Sequence, residues 1–175
     1  MISVRRIRLG EGQLFKEMRL ASLSESPEAF SSTYESAVQR TWESWCEQAD
    51  GTAVGSARAT FIAFSDSTPV GIGAIYRDPS RENEGEMLQI WVAPDCRGSG
   101  IAQALINTLI QWCRENGICA VWAVITGGNR RARRFYEKCG FEPAEASSRD
   151  SPGSQVLVRY LDCGQAIGAD RPAGR

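Results

Sequence analysis

The 175-residue chain has no histidine, and only two of its 20 basic residues are lysines. Without imidazole it cannot run Ser-His or Cys-His catalysis, ligate a metal through histidine, or use that side chain as a switch near neutrality. Catalysis is left to carboxylates, tyrosine, cysteine, lysine or backbone dipoles. The six cysteines include no C-x-x-C pair, which argues against a zinc ribbon or a redox dithiol, and no metal site is expected. No uninterrupted apolar run approaches the roughly 20 residues of a membrane helix. The first residues, Met-Ile-Ser-Val-Arg-Arg-Ile-Arg, lack the apolar core of a signal peptide. A formal net charge of -1 offers no bulk attraction to nucleic acid or an anionic membrane. The expectation is a soluble, cytoplasmic protein whose cysteines are mostly small core residues.

The length fits one domain with a sizeable core, and 42% of the chain is apolar. We assign residues 1–162 to that domain. Residues 163–175, Gly/Ala/Pro-rich and without periodicity, read as a frayed tail. Residues 2–8 can open the fold as a strand. Leu14, Phe15, Met18 and Ala21 follow helical spacing, and after Pro27 a second stripe runs through Val38, Trp42, Trp45, Cys46 and Ala49. Residues 60–64 and 70–76 predict a hairpin, and residues 84–92 a further strand. Residues 101–115 predict a long helix stopped by Gly117. Residues 119–125 are nearly continuously apolar and so expected to be buried on both faces. A helix over 129–139 and a strand over 155–161 complete a mixed α/β domain. A strand, a glycine loop, a helix and a strand in succession require at least one parallel crossover.

Between residues 92 and 101 lies Pro94-Asp95-Cys96-Arg97-Gly98-Ser99-Gly100. Glycines there let backbone N–H groups converge on an anion at the start of the following helix. Arg97 can add its charge to the same phosphate. The loop lacks the Gly-Lys-Ser/Thr of a Walker sequence. It also lacks the acidic residue that a dinucleotide site needs on the next strand.

Arg97-Gly98-Ser99-Gly100-Ile101-Ala102 resembles the R/Q-x-x-G-x-G/A signature of GNAT-superfamily acyl-CoA N-acyltransferases. Asn129-Arg130-Arg131-Ala132-Arg133-Arg134-Phe135-Tyr136-Glu137-Lys138-Cys139-Gly140-Phe141 resembles that family's N-x-x-A-x-x-F-Y-E-K-x-G-F helix. The two blocks flank the apolar strand in the family's order. The resemblance covers residues 61–161 and implies a central mixed, mostly antiparallel twisted sheet flanked by about four helices. It implies acetyl-CoA as co-substrate, a small-molecule amine as acceptor, and a homodimer as an open option. By the same resemblance the amides of Arg97, Gly98, Ser99, Gly100, Ile101 and Ala102 hold the pyrophosphate. Backbone at Ile90, Trp91 and Val92 pairs with the pantetheine arm, and Asn129 contacts the cofactor. The arginines of this helix either form a solvated face or, through one of them, assigned as Arg134, attract the adenosine 3′-phosphate of coenzyme A. A non-catalytic acyl-CoA-binding module and a protein N-terminus or lysine acetyltransferase are the alternatives.

Amide formation needs an ammonium to lose a proton and a thiolate to gain one. Tyr136 is the candidate acid, on an apolar stripe with Ala132, Phe135 and Cys139; the bland alternative is a core tyrosine bonded to a backbone carbonyl. Glu86 is the candidate base. Simple alternation would place it in line with Leu88, Ile90 and Val92, where desolvation raises a carboxyl pKa. A β-bulge would spoil that alignment. Trp42 and Trp45 are expected in the core, while Tyr34, Tyr76 and Trp91 can line a pocket.

Overall fold

A computed structural model describes residues 1–145 and 152–163. Chain order is β1 (Ile2–Arg6), α1 (Gly12–Glu25), α2 (Tyr34–Val38), α3 (Trp42–Ala53), β2 (Arg58–Ser65), β3 (Thr68–Asp78) and β4 (Arg81–Val92). Then come α4 (Ile101–Glu115), β5 (Ala120–Thr126), α5 (Arg130–Lys138), β6 (Glu142–Pro143) and β7 (Ser154–Tyr160). The strands form one sheet in the order β1-β2-β3-β4-β5-β7-β6. Only β4 and β5 pair in parallel among the described residues, so α4 is the crossover that the sequence demanded. This is the mixed α/β sheet expected, with five α-helices around it among the described residues.

The sheet has a core on each face. Leu105, Ile106, Leu109 and Ile110 of α4 pack with Ile75, Met87 and Val121 on one side. Phe15 of α1 and Trp45 of α3 pack with Ile62, Ile72 and Trp91 on the other, and the Phe15 and Trp45 rings meet edge-on at 5.8 Å.

Several expectations change in the structure. The stripe over residues 38–49 is two helices, because Thr33 and Thr41 each cap a new start by accepting from Ser36 N and Ser44 N. Trp45 is in the core, but Trp42 is 49% exposed. The buried face of α1 leaves Ala21 exposed and runs instead through Phe15, Met18, Arg19, Ser22 and Leu23. Strand β5 alternates rather than being buried on both faces: Val121, Ala123 and Ile125 are buried, whereas Trp122, Val124 and Thr126 are half-buried. The short β6 was not foreseen.

The cysteines divide three ways. Cys113 and Cys139 are buried thiols, and burial pushes Cys113 up to about 12, which makes it inert. Cys46 and Cys96 are half-buried. Cys119 and Cys163 are joined as a disulfide with Cα atoms 5.5 Å apart, so these two are not core thiols. Apart from Cys163, the proposed tail lies outside the described residues. No helix among those described is long and apolar enough to cross a membrane.

Candidate active site

The site begins where the sheet splits. Strands β4 and β5 pair only from Glu84↔Ala120 to Met87↔Ala123, and beyond that they diverge. A bulge in β4 coincides with the split. Ile72 pairs with Trp91 and Ala74 with Leu88, so Gln89 and Ile90 together oppose Gly73. Gln89 takes φ 60°, unusual for a residue with a side chain. Gly73 permits this because a Cβ there would lie 2.7 Å from Ile90 Cδ1 and 2.9 Å from Leu109 Cδ1. The extra residue takes backbone groups at Gln89 and Ile90 out of the ladder, leaving them available to a ligand.

The bulge also corrects the alignment expected for Glu86. Met87 packs on the α4 side of the sheet, and so do Ile90 and Val92 beyond the bulge. Glu86 and Leu88 therefore lie on the opposite face from Ile90 and Val92. Glu86 pairs with Tyr76 and Trp122, and it is half-buried. Because the sheet is split, residues from both faces reach one cavity of about 570 Å³, which Glu86 and Tyr136 both line. Met87 to Ile90 form one wall of it and Val124 to Thr126 the other.

A second cavity of about 400 Å³ adjoins the first, sharing Phe30, Ile90, Ala132 and Phe135. It is lined by Trp91, Val92, Arg97, Gly98, Gly100, Ala102 and Asn129. Gly98 and Gly100 have φ of 78° and 86°, and an added Cβ at either meets nothing within 4 Å. Glycine is required here by backbone conformation, not by crowding, and the amides leading into α4 stay open. Ser99 and Ile101 are absent from the lining: the Ser99 hydroxyl donates to Cys96 O at 2.5 Å, and Ile101 is buried beneath the loop. Arg134 does not reach this cavity either, whereas Arg131 does.

Arg97 is held from two sides. Its Nε donates to Val92 O at 3.0 Å, and its terminal nitrogen donates to Glu25 at 2.6 Å. The same Glu25 oxygen accepts from Trp91 Nε1 at 2.8 Å. A hydrogen bond from the Ser26 hydroxyl, then those from Arg97 and Trp91, pull the Glu25 carboxyl down to about 2. Glu25 therefore ties the end of α1 to both the strand and the glycine loop, and it shares the charge of Arg97. Nothing in the local sequence pointed to it.

Asn129 caps α5 by accepting from Ala132 N at 3.0 Å, after two glycines in left-handed conformation. Across the mouth of the cleft, Thr126 Oγ1 donates to Glu28 O at 2.7 Å. As predicted, Ala132, Phe135, Tyr136 and Cys139 turn toward the core. Tyr136 stacks edge-on with Phe135 at 5.7 Å and with Phe141 at 5.3 Å. Burial raises its phenol above the ordinary tyrosine value, so it stays protonated at neutral pH. Among the described residues its hydroxyl has no hydrogen-bond partner, unlike a core tyrosine bonded to a carbonyl. Of the other aromatics, Trp91 lines the second cavity, Tyr34 is exposed, and Tyr76 accepts from Gln48 at 3.1 Å.

A model of the Acetyltransferase (GNAT) family matches residues 17–141. The chain is 29% identical over 145 residues to a mycothiol acetyltransferase of Propionibacterium freudenreichii, covering 83% of this chain and 44% of that one. It is 32% identical over 85 residues to an uncharacterized N-acetyltransferase of Mycobacterium bovis, 49% of this chain and 53% of that one. The chain thus spans about half the length of the curated relatives it matches. Among solved structures, a GNAT-family acetyltransferase from Streptococcus pneumoniae superposes with a TM-score of 0.75 at 16% identity, covering 92% of this chain and 99% of that one. An N-acetyltransferase from Thermoplasma acidophilum, solved in complex with coenzyme A, gives a TM-score of 0.66 at 17% identity, with the same coverage of 92% and 99%.

Proposed function

The chain belongs to the GNAT acetyltransferase family, and from that membership we propose that it moves an acetyl group from acetyl-CoA to a primary amine of a small molecule. The observation that carries this reading is the split sheet. It sets a backbone-lined cavity at a helix N-terminus against a second cavity lined by a carboxylate and by a tyrosine whose hydroxyl has no hydrogen-bond partner among the described residues. The residues present fit the co-substrate. Open amides at Gly98 and Gly100 suit a pyrophosphate. Released backbone at Gln89 and Ile90 suits the amide-rich pantetheine arm.

Acetyl-CoA supplies an acyl group already activated as a thioester. In the proposed reaction the amine nitrogen bonds to the acyl carbon as the carbon–sulfur bond breaks. Glu86, directly or through water, takes the proton that the ammonium must lose, and Tyr136 gives its proton to the departing sulfur. The amine is itself the nucleophile, so no covalent enzyme intermediate is needed and the absence of histidine has no cost.

The test is release of free thiol from acetyl-CoA in the presence of amines, amino acids, polyamines, aminoglycosides and peptides. Stimulation by at least one small amine is expected. Coenzyme A binding with no stimulation by any acceptor would reduce the protein to a binding module, and stimulation by peptides alone would make it a protein-modifying enzyme.

A further inference from the structure

Arg19 lies on the buried face of α1 and is 5% exposed. It lines the same cavity as Glu86, Gln89 and Tyr136. A guanidinium carries five N–H donors and normally enters a protein interior beside a carboxylate. Among the described residues Arg19 makes one side-chain hydrogen bond, to Ser22 Oγ at 3.2 Å, and it sits over the Phe30 ring at 5.0 Å. No described carboxylate pairs with it. Burial lowers Arg19 to about 10; the Tyr76 phenol opposes that shift, and Arg40, a second cation, adds to it. It therefore remains charged at neutral pH.

A buried cation with unused donors, facing a cavity and without a counter-ion, is costly unless a ligand completes it. The cavity contains a second incomplete group. The Gln89 side-chain oxygen is buried and has no hydrogen-bond partner among the described residues, and Gln89 is the bulge residue. An acceptor with an anionic group at Arg19 and an ammonium toward Gln89 and Glu86 would satisfy both.

We propose that the acceptor is an amine bearing its own oxyanion, a carboxylate or a phosphate, and that Arg19 is the residue binding that anion. This rests on the transferase reading above, which it deepens by naming the acceptor class. A carboxylate-bearing amine such as an amino acid offers one anion for Arg19 and one ammonium for the Gln89 oxygen, both of which line this cavity. A phosphate-bearing amine shares the same recognition chemistry.

The test uses matched pairs: glycine and glycinamide, methionine and methioninamide, phenylalanine and phenylalaninamide, and phosphoethanolamine against ethanolamine. Each is measured as kcat/KM with acetyl-CoA, and as thermal protection of the protein with coenzyme A. The anionic member of at least one pair should be favoured by about tenfold or more, the size expected of a charge-assisted hydrogen bond. The ethanolamine pair separates phosphate from carboxylate. In Arg19→Gln that preference should fall close to one, through a higher KM for the anionic member, and Arg19→Lys should keep part of it. The free Arg19→Met protein should melt no lower than the parent, because it loses a buried unpaired cation.

Equal behaviour within every pair, or a preference that survives in Arg19→Gln, would overturn the proposal. So would a marked fall in the melting temperature of free Arg19→Met, which would make the arginine structural. Anion-selective protection without any turnover would sink the transferase reading and leave the assignment of Arg19 standing.

Discussion

The half of the cleft beside α4 offers mainly backbone, whereas the half beside α1 and α5 is made of side chains drawn from distant parts of the chain. In the first, two left-handed glycines, a bulge and a helix start create open amides within residues 89–102. In the second, Arg19, Phe30, Glu86 and Tyr136 converge from four separate segments. The difference suits two ligands of different generality. A backbone cradle recognises a phosphate-rich cofactor through groups every residue has, and it varies little with side chains. A side-chain pocket recognises one acceptor by its charges and can be rebuilt without touching the cradle.

The largest effect should come where the halves meet. Tyr136→Phe should lower kcat by about 10²- to 10⁴-fold, the range for a lost general acid, with little change in coenzyme A affinity. Because burial raises the Tyr136 phenol, the parent should show no alkaline loss of rate from this group up to its ordinary value near 10; the proton is held more tightly, not less. Glu86→Gln should be slowed most at low pH and recover as pH rises, since the amine then arrives already neutral. A pH-profile run on both variants checks the pair of roles, and parallel profiles for Glu86→Gln and the parent would remove the base assignment.

What the sequence disclosed follows the same division. The glycine loop, the α4 helix, the α5 stripe and Tyr136 are local patterns, and each lies on the element that periodicity or spacing predicts. Glu86 can be singled out from the strand pattern, but its facing cannot, because one inserted residue at Gln89 reverses the alternation and no composition signal marks a bulge. Arg19 escaped because an arginine in a helix normally reads as solvent-facing. Here Ala21, which looks apolar, faces water, and Arg19 with Ser22 faces inward. Leu23, which continues the four-residue spacing from Phe15 through Arg19, was the available signal. Glu25 escaped because its partners lie 66 and 72 residues away.

An intermediate effect is expected within the backbone half. Gly100→Ala adds no clash, since nothing lies within 4 Å of the new Cβ, but it forces a side-chain residue to hold φ 86°. Strain of about 1–2 kcal/mol is typical of that region. Coenzyme A should bind about tenfold more weakly as the loop relaxes, while the acid-over-amide ratio of acceptors stays fixed. Titration calorimetry measures the first and the paired acceptors the second. A changed acceptor ratio would show that the two halves are not separable.

The smallest effect should come from a side chain that ties α1 to the backbone half. Glu25 links the end of α1 to Trp91 and Arg97, and its pKa is depressed to about 2. A lowered carboxyl pKa stabilises the fold fully above its unfolded value and loses that contribution as pH falls toward the folded one. Glu25→Gln should therefore cost stability evenly across the neutral range, with the gap from the parent closing only in acid below about pH 4. The Glu25 and Arg97 side chains are 32% and 29% exposed, so solvent screening limits the loss to about 0.5–1 kcal/mol. Coenzyme A affinity should move the other way. Freed of its carboxylate but still fixed by Val92 O, Arg97 presents an uncompensated charge to the phosphates, and binding should tighten about two- to threefold at low salt. A loss of affinity instead would mean that Glu25 holds the cradle in shape, and that the backbone half depends on a side chain after all.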